Sequence, residues 1–385
     1  MIQSPVYAYR EGKAFCQGEG WRVQSAAIRP ERSRLFAAMA GLLVLTGLMA
    51  VFPFACVGLA LLTPLLGCPL MGSSRQWAAW LAAAAPAAVS LLYRFEPLYS
   101  LTLLLPGMLP LALTLWLKTR KKLAAPLSVG FYIGTYALSL TLVVLAASYA
   151  LGAGMAEGLA QLLAALVESS DQPGMLLYRF AAAGLLAVPD GYRDGLLPLF
   201  LLDPSLVRQM LLSLRLNVQL MLEQLLPWLF VQACLLGGLF TALRVQRTYC
   251  AVLVVGPDPE HPGERKAHVV LPPGFRLMAI PPRLRWVLCL MALASLLLIG
   301  AQGSLAQTLG LLFYATFSCA FQLAGAAVLV CILSARNPDR AALYGALSAA
   351  LYALFPMALF FLGVADQAFH FRTRLLKTTD SHKEG

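Results

Sequence analysis

The chain is expected to be an all-α polytopic membrane protein of about nine (eight to nine) transmembrane helices with a small cytosolic β-hairpin insertion. Three observations predict it. The 385 residues fall into nine apolar blocks, each close to the ~20 residues that cross a hydrocarbon core of about 30 Å as helix. Charged residues are held to 12% and apolar ones reach 59%, with mean hydropathy +0.74, outside the range of soluble globular chains. Nearly all Lys and Arg lie in the short runs between the blocks, where they retain loops on the cytoplasmic side.

Residues 1–34 form a basic cytosolic N-terminal tail, with Arg10, Lys13, Arg22, Arg29, Arg32 and Arg34 against three Glu. Arg32 and Arg34 abut the first block, which places the N-terminus in the cytoplasm. Residues 35–150 make a first five-helix membrane bundle. Its opening stretch, 35–70, is too long for one span and is broken at Pro53, so helices are expected over 35–52 and 54–70. A third span covers 77–93, a fourth 98–117 and a fifth 126–150. Lys118, Arg120, Lys121 and Lys122 mark the loop after the fourth as cytoplasmic.

Residues 151–217 are an outer amphipathic segment with mixed charge. Met155, Leu159, Leu162, Leu163 and Leu166 recur at helical spacing opposite Glu157 and Gln161, predicting an amphipathic helix over 153–168. Asp203 followed by Pro204 is a helix start, and that helix is expected to run on into a sixth span over 218–243. Residues 218–365 form the second membrane part, with a cytosolic loop over 244–285 that carries seven basic residues. Within the loop, two β-branched runs flank a Pro/Gly turn and predict the hairpin. Spans seven, eight and nine cover 285–303, 306–334 and 341–365, and 366–385 is a basic C-terminal tail. Nine spans with the N-terminus inside leave that tail outside, against its charge. Removing an early span would flip the better-charged loops instead.

The net charge of +11 suits anionic head groups rather than nucleic acid, because no basic run is interleaved with base-stacking aromatics. The eight cysteines include no C-x-x-C pair, and the four histidines have no ligand-spaced partner, so no metal or other cofactor is expected. Phosphate-loop, H-E-x-x-H and G-x-S-x-G motifs are absent, and no catalytic residue can be named. Glu223 and Gln224 lie inside the sixth block, with Gln232 two turns on. A carboxylate at bilayer depth costs roughly 2.5–3.5 kcal/mol, so these are substrate-pocket candidates, set against a plainer position just outside the hydrocarbon. Arg94 and Glu96, in the outer turn with Tyr93 and Tyr99, are the other pocket candidates. Interfacial anchoring is their simpler role.

The closing residues Pro356, Leu362, Gly363, Asp366, Phe371 and Arg372 form a pattern of Pro-containing last helix, Leu-Gly-x-x-Asp and aromatic-Arg pair. With the Pro-rich early spans and the "LPPGFRLMAIPPRLRWVL" approach to the seventh, this pattern resembles the YybS-like family of uncharacterised multi-pass bacterial membrane proteins. The resemblance implies a bacterial cytoplasmic membrane. It also implies a distant likeness to the substrate-binding subunits of energy-coupling-factor transporters. By that likeness Ala37, Ala38, Ala40 and Gly41 would face a transmembrane partner, a coupling or ATPase subunit, and the chain would bind an unidentified small-molecule solute. The alternative is a non-transport scaffold or regulatory protein of the envelope.

Overall fold

The computed structural model describes residues 22–24, 32–52, 56–71, 73–120, 123, 127–184, 186, 204–249, 252–257, 265–270, 275, 278–301, 303–336, 340–369 and 371. Thirteen helices are described, named here in chain order. They are α1 (Arg32–Val51), α2 (Cys56–Gly67), α3 (Gln76–Leu92), α4 (Pro97–Thr102), α5 (Leu105–Thr119), α6 (Leu127–Leu151), α7 (Met155–Glu168) and α8 (Pro173–Ala182). The remainder are α9 (Pro204–Tyr249), α10 (Pro282–Ile299), α11 (Ser304–Arg336), α12 (Ala341–Leu354) and α13 (Pro356–Phe369). Three strands, β1 (Arg22–Gln24), β2 (Val252–Pro257) and β3 (Arg265–Val270), pair antiparallel in that order, with Val254 opposite both Val23 and His268. Residues 22–24, within the basic N-terminal tail expected from the sequence, lie in this sheet. The turn 258–264 and the basic tail beyond Phe371 lie outside the described residues.

Five helical segments are long and apolar enough to cross a membrane: Pro97–Thr119, Ser128–Leu151, Pro204–Tyr249, Pro282–Ile299 and Leu305–Ser334. A sixth is counted if α12 and α13, bent by 113° at their break, are one span. The count of nine is not reached, for two physical reasons. The first three blocks form helices of fewer than 18 residues, Leu35–Val51, Cys56–Leu70 and Gln76–Leu92. The ninth block is interrupted at Phe355, where Pro356 starts a new helix and forces the preceding residue out of helical geometry. The helices carry a coat of exposed large apolar side chains, among them Leu43, Leu92, Trp286, Leu296, Leu305 and Phe361. Such an area is stable against lipid, not water.

The first bundle closes around small side chains. Ala38, Cys68, Ala79, Ala83, Leu111, Tyr132, Ala242 and Val245 share one core between α1, α2, α3, α5, α6 and the end of α9. A Cβ on Gly107 would stand 3.0 Å from the Ala83 Cα, so α3 and α5 approach backbone to backbone. Helix α9 is 46 residues, about 69 Å, and so is far longer than a bilayer core. It continues through Pro227 without interruption. Its first third leaves the bundle and packs with α7 and α8 around Val167, Leu177, Leu206, Met210 and Leu214. There Arg215 donates to Glu157 at 3.1 Å; both side chains are about two-fifths exposed, so the pair contributes well under about 1 kcal/mol.

In the second membrane part, Gly325 of α11 and Gly363 of α13 meet at a backbone crossing. A Cβ on Gly325 would run into the Leu359 carbonyl, and one on Gly363 into the Phe321 carbonyl. Phe317, Phe321 and Phe360 pack edge to face or tilted beside the crossing, with centroids 5.0–5.9 Å apart. Arg285, at the start of α10, donates to the Ile280 and Gln367 carbonyls at 3.2 and 3.4 Å. The end of α13 thus lies beside the beginning of α10.

In the turn between α3 and α4, Arg94 is the one described non-glycine residue with positive φ, at 59°. A side chain in that region costs about 1 kcal/mol, which glycine avoids. Arg94→Gly is therefore expected to raise stability by about 1 kcal/mol, read as a higher melting temperature in detergent.

Candidate functional site

Two buried polar networks lie between the helices, and they differ in whether their hydrogen bonds are complete. The first joins α2, α5, α6 and α9. Thr114 Oγ1 lies 2.7 Å from the Tyr132 hydroxyl and 3.1 Å from Cys68 Sγ, and it donates back to the Pro110 carbonyl. The Tyr136 hydroxyl lies 3.0 Å from Thr241 Oγ1 and donates to the Leu61 carbonyl at 3.1 Å. Gly237 and Gly238 let α9 approach closely enough for this, since a Cβ on either would strike the Tyr136 ring or the Ile133 backbone. At the α9 terminus, the Tyr249 hydroxyl reaches the Cys68, Pro69 and Met71 carbonyls, and the Lys118 ammonium sits 4.7 Å over the Tyr249 ring centroid. Every group here has a partner, which is the pattern of an architectural network.

The second network joins α9, α11 and α12 and is incomplete. Gln322 is 1% exposed and sits near the middle of the apolar segment Leu305–Ser334. Its Nε2 donates to Ser318 Oγ at 3.1 Å, while its Oε1 has no partner. Flipping the amide would exchange an orphaned acceptor for an orphaned donor and leave the deficit unchanged. One turn away, Cys319 Sγ is flanked by the Tyr352 hydroxyl and the Gln232 side chain. The Tyr352 hydroxyl is approached by both Cys319 Sγ and the Gln232 side chain, but neither approach has hydrogen-bond geometry, and it is the other buried side-chain group without a geometrically sound partner among the described residues. Tyr352 lies three residues before the break between α12 and α13, and Ser348, one turn earlier, donates to the Ala326 carbonyl at 3.3 Å.

A recess of about 320 Å³ opens on the same pair of long helices, lined by Met221, Gln224, Leu225, Trp228, Leu311 and Tyr314. Helical spacing connects it to the incomplete network. Gln224, Trp228 and Gln232 follow at i, i+4 and i+8 on α9, and Tyr314, Ser318 and Gln322 do so on α11. Trp228 and Tyr314 face each other with ring centroids 6.3 Å apart. The recess and the orphaned groups therefore occupy one seam, separated by one to two helical turns.

Comparison with known families, curated proteins and solved structures gives no match. The resemblance to the YybS-like family therefore stands on the closing pattern, the Pro-rich early spans and the approach to the seventh span, with no matching family model behind it.

The sequence-predicted residues divide. Gln224 lines the recess, but Glu223 points outward, exposed and bonded to Gln219 at 3.0 Å. Glu96 is occupied as a helix cap, accepting from the Tyr99 amide at 2.8 Å, and Arg94 is exposed. Both sit in the first bundle, on elements that do not line the recess. The small-residue face of α1 splits as well. Ala38 is buried and Gly41 lies against Leu66, both inside the chain's own bundle, whereas Ala37 and Ala40 are exposed. Of the closing motif, Gly363 makes the helix crossing, Asp366 is buried and already partnered, Pro356 starts α13, Leu362 is half-buried and Phe371 stacks near Phe369 at 5.7 Å. Arg372 lies outside the described residues. Gln322, Cys319 and Tyr352 had no part in the sequence-based expectation. The available signal was a lone glutamine in the middle of the eighth apolar block.

Proposed function

We propose that this chain is a solute-binding or transport-related membrane subunit without an ATPase of its own, with its site at the α9–α11–α12 seam. The observation that carries this reading is the pair of orphaned polar groups, Gln322 Oε1 and the Tyr352 hydroxyl, buried in apolar helices beside a helix break. In hydrocarbon an unsatisfied polar group costs free energy that evolution retains only where something else gains. Broken helices near the bilayer middle are where membrane transporters place ligand contacts, because backbone and side-chain groups are freed there.

The topology that suits this reading has eight crossings and a re-entrant pair. The three shorter helices cross, and so do the five longer segments. Helices α12 and α13 dip in and return, placing the end of α13 beside Arg285 at the start of α10. Arg336, Arg340 and the basic tail then share one side with the 118–122 cluster, and the conflict between nine spans and tail charge disappears. A reporter fused after Gly385 is expected to score cytoplasmic, together with one at the N-terminus; a C-terminal reporter scoring on the opposite side would contradict the re-entrant pair.

The functional reading is tested by purifying the chain from its native membrane in mild detergent. Recovery of a coupling or ATPase subunit, or a solute-dependent rise in melting temperature, is expected. Neither outcome occurring would contradict it.

A further inference from the structure

Resting on that reading, we infer that the α9–α11 seam takes a small, flat, uncharged solute whose polar end carries a donor and an acceptor side by side, as a carboxamide does. The recess supplies the apolar part of the recognition, with Trp228 and Tyr314 as ring surfaces and Leu225, Leu311 and Met221 around them. One helical turn, about 5.4 Å, separates Trp228 from Gln232 and Tyr314 from Ser318, which is the reach of one aromatic ring. At that depth the solute's head meets Gln232, Gln322 and Tyr352. The two orphans there are an amide oxygen, which needs a donor, and a phenol hydroxyl, which offers one and needs an acceptor. A carboxamide satisfies both with its N–H and its C=O.

The same groups argue against an ion. Gln232, Ser318, Cys319, Gln322 and Tyr352 are all uncharged forms. Glu223, beside the recess, is exposed and bonded to Gln219, and Asp366 is already partnered. A charged solute would enter low-dielectric surroundings with no counter-charge, at a penalty that hydrogen bonds from neutral groups do not offset.

The test uses the full chain in lipid nanodiscs and four probes sharing one ring: benzamide, benzoate, benzamidine and toluene. Millimolar benzamide is expected to raise the melting temperature by about 2 °C and to quench tryptophan emission, with no such response to the other three. Gln322→Leu and Tyr352→Phe, each folded by its own melting transition, are expected to lose the benzamide response. An equal response to benzoate or benzamidine would overturn the uncharged class while leaving a solute site in place. An equal response to toluene would overturn the role of the head group. A benzamide response that survives in both variants would place binding elsewhere, and no response to any probe would overturn the inference.

Discussion

Gly325→Val is expected to destabilise the second membrane part by about 3 kcal/mol and to separate α13 from α11, because the new side chain must occupy the position of the Leu359 carbonyl. The obstacle is backbone, which cannot rotate away as a side chain can. Gly363→Ala meets the same barrier from the other helix, at the Phe321 carbonyl, and the two substitutions together are expected to cost less than their sum, since the first already opens the crossing. Gly47 provides the control. A Cβ there meets nothing within 4 Å, so Gly47→Ala should stabilise α1 by up to about 1 kcal/mol through helix propensity. Thermal or denaturant unfolding in one detergent compares all four proteins. Equal effects at positions 47 and 325 would remove the crossing from the account.

Gln322→Leu joined with Ser318→Ala, and Tyr136→Phe alone, are expected to move stability in opposite directions. The Tyr136 hydroxyl is bonded to Thr241 and to the Leu61 carbonyl, so its removal leaves a buried hydroxyl and a carbonyl short of partners and costs about 1 kcal/mol. Gln322 retains one bond, to Ser318, and buries one acceptor without a partner. A leucine of similar volume removes the orphan along with the bond and, combined with Ser318→Ala so that no buried hydroxyl is left short of its partner, gives a gain of about 1 kcal/mol. A polar residue whose removal stabilises the fold is one held for another purpose, the usual trade between stability and activity. A loss of stability in the Ser318→Ala, Gln322→Leu double variant equal to that in Tyr136→Phe would make both networks architectural.

Sequence patterning reached some of this and missed the rest for definable reasons. Alternation of apolar blocks with basic runs identified the membrane class, because hydrocarbon thickness and charge exclusion act on every span alike. The 3.6-residue rhythm of Met155, Leu159 and Leu163 located α7, and Pro204 located the start of α9, since both signals are local. The number of spans depended on where blocks end, and the first three blocks end as helices of fewer than 18 residues, a length that block hydropathy does not fix. The break at Phe355 was carried by Pro356, which block hydropathy averages away. The seam was the hardest to see. Gln322 carries no charge and is one of several uncharged polar residues in its block, so its importance arises only when Ser318 takes its amide and nothing takes its oxygen. Glu223 drew attention by its charge and proved to face outward with Gln219.

A solute site at the α9–α11–α12 seam must open to water, and Cys319 reports on that opening directly. In the resting structure this thiol is fully buried between Gln232 and Tyr352. In a full-length variant whose other seven cysteines are replaced by alanine or serine, a membrane-impermeant maleimide applied to sealed vesicles of either orientation is expected to label Cys319 slowly, with Tyr352→Phe altering the rate. Labelling that never occurs from either side, while a cysteine introduced at exposed Arg94 labels readily, would contradict the account.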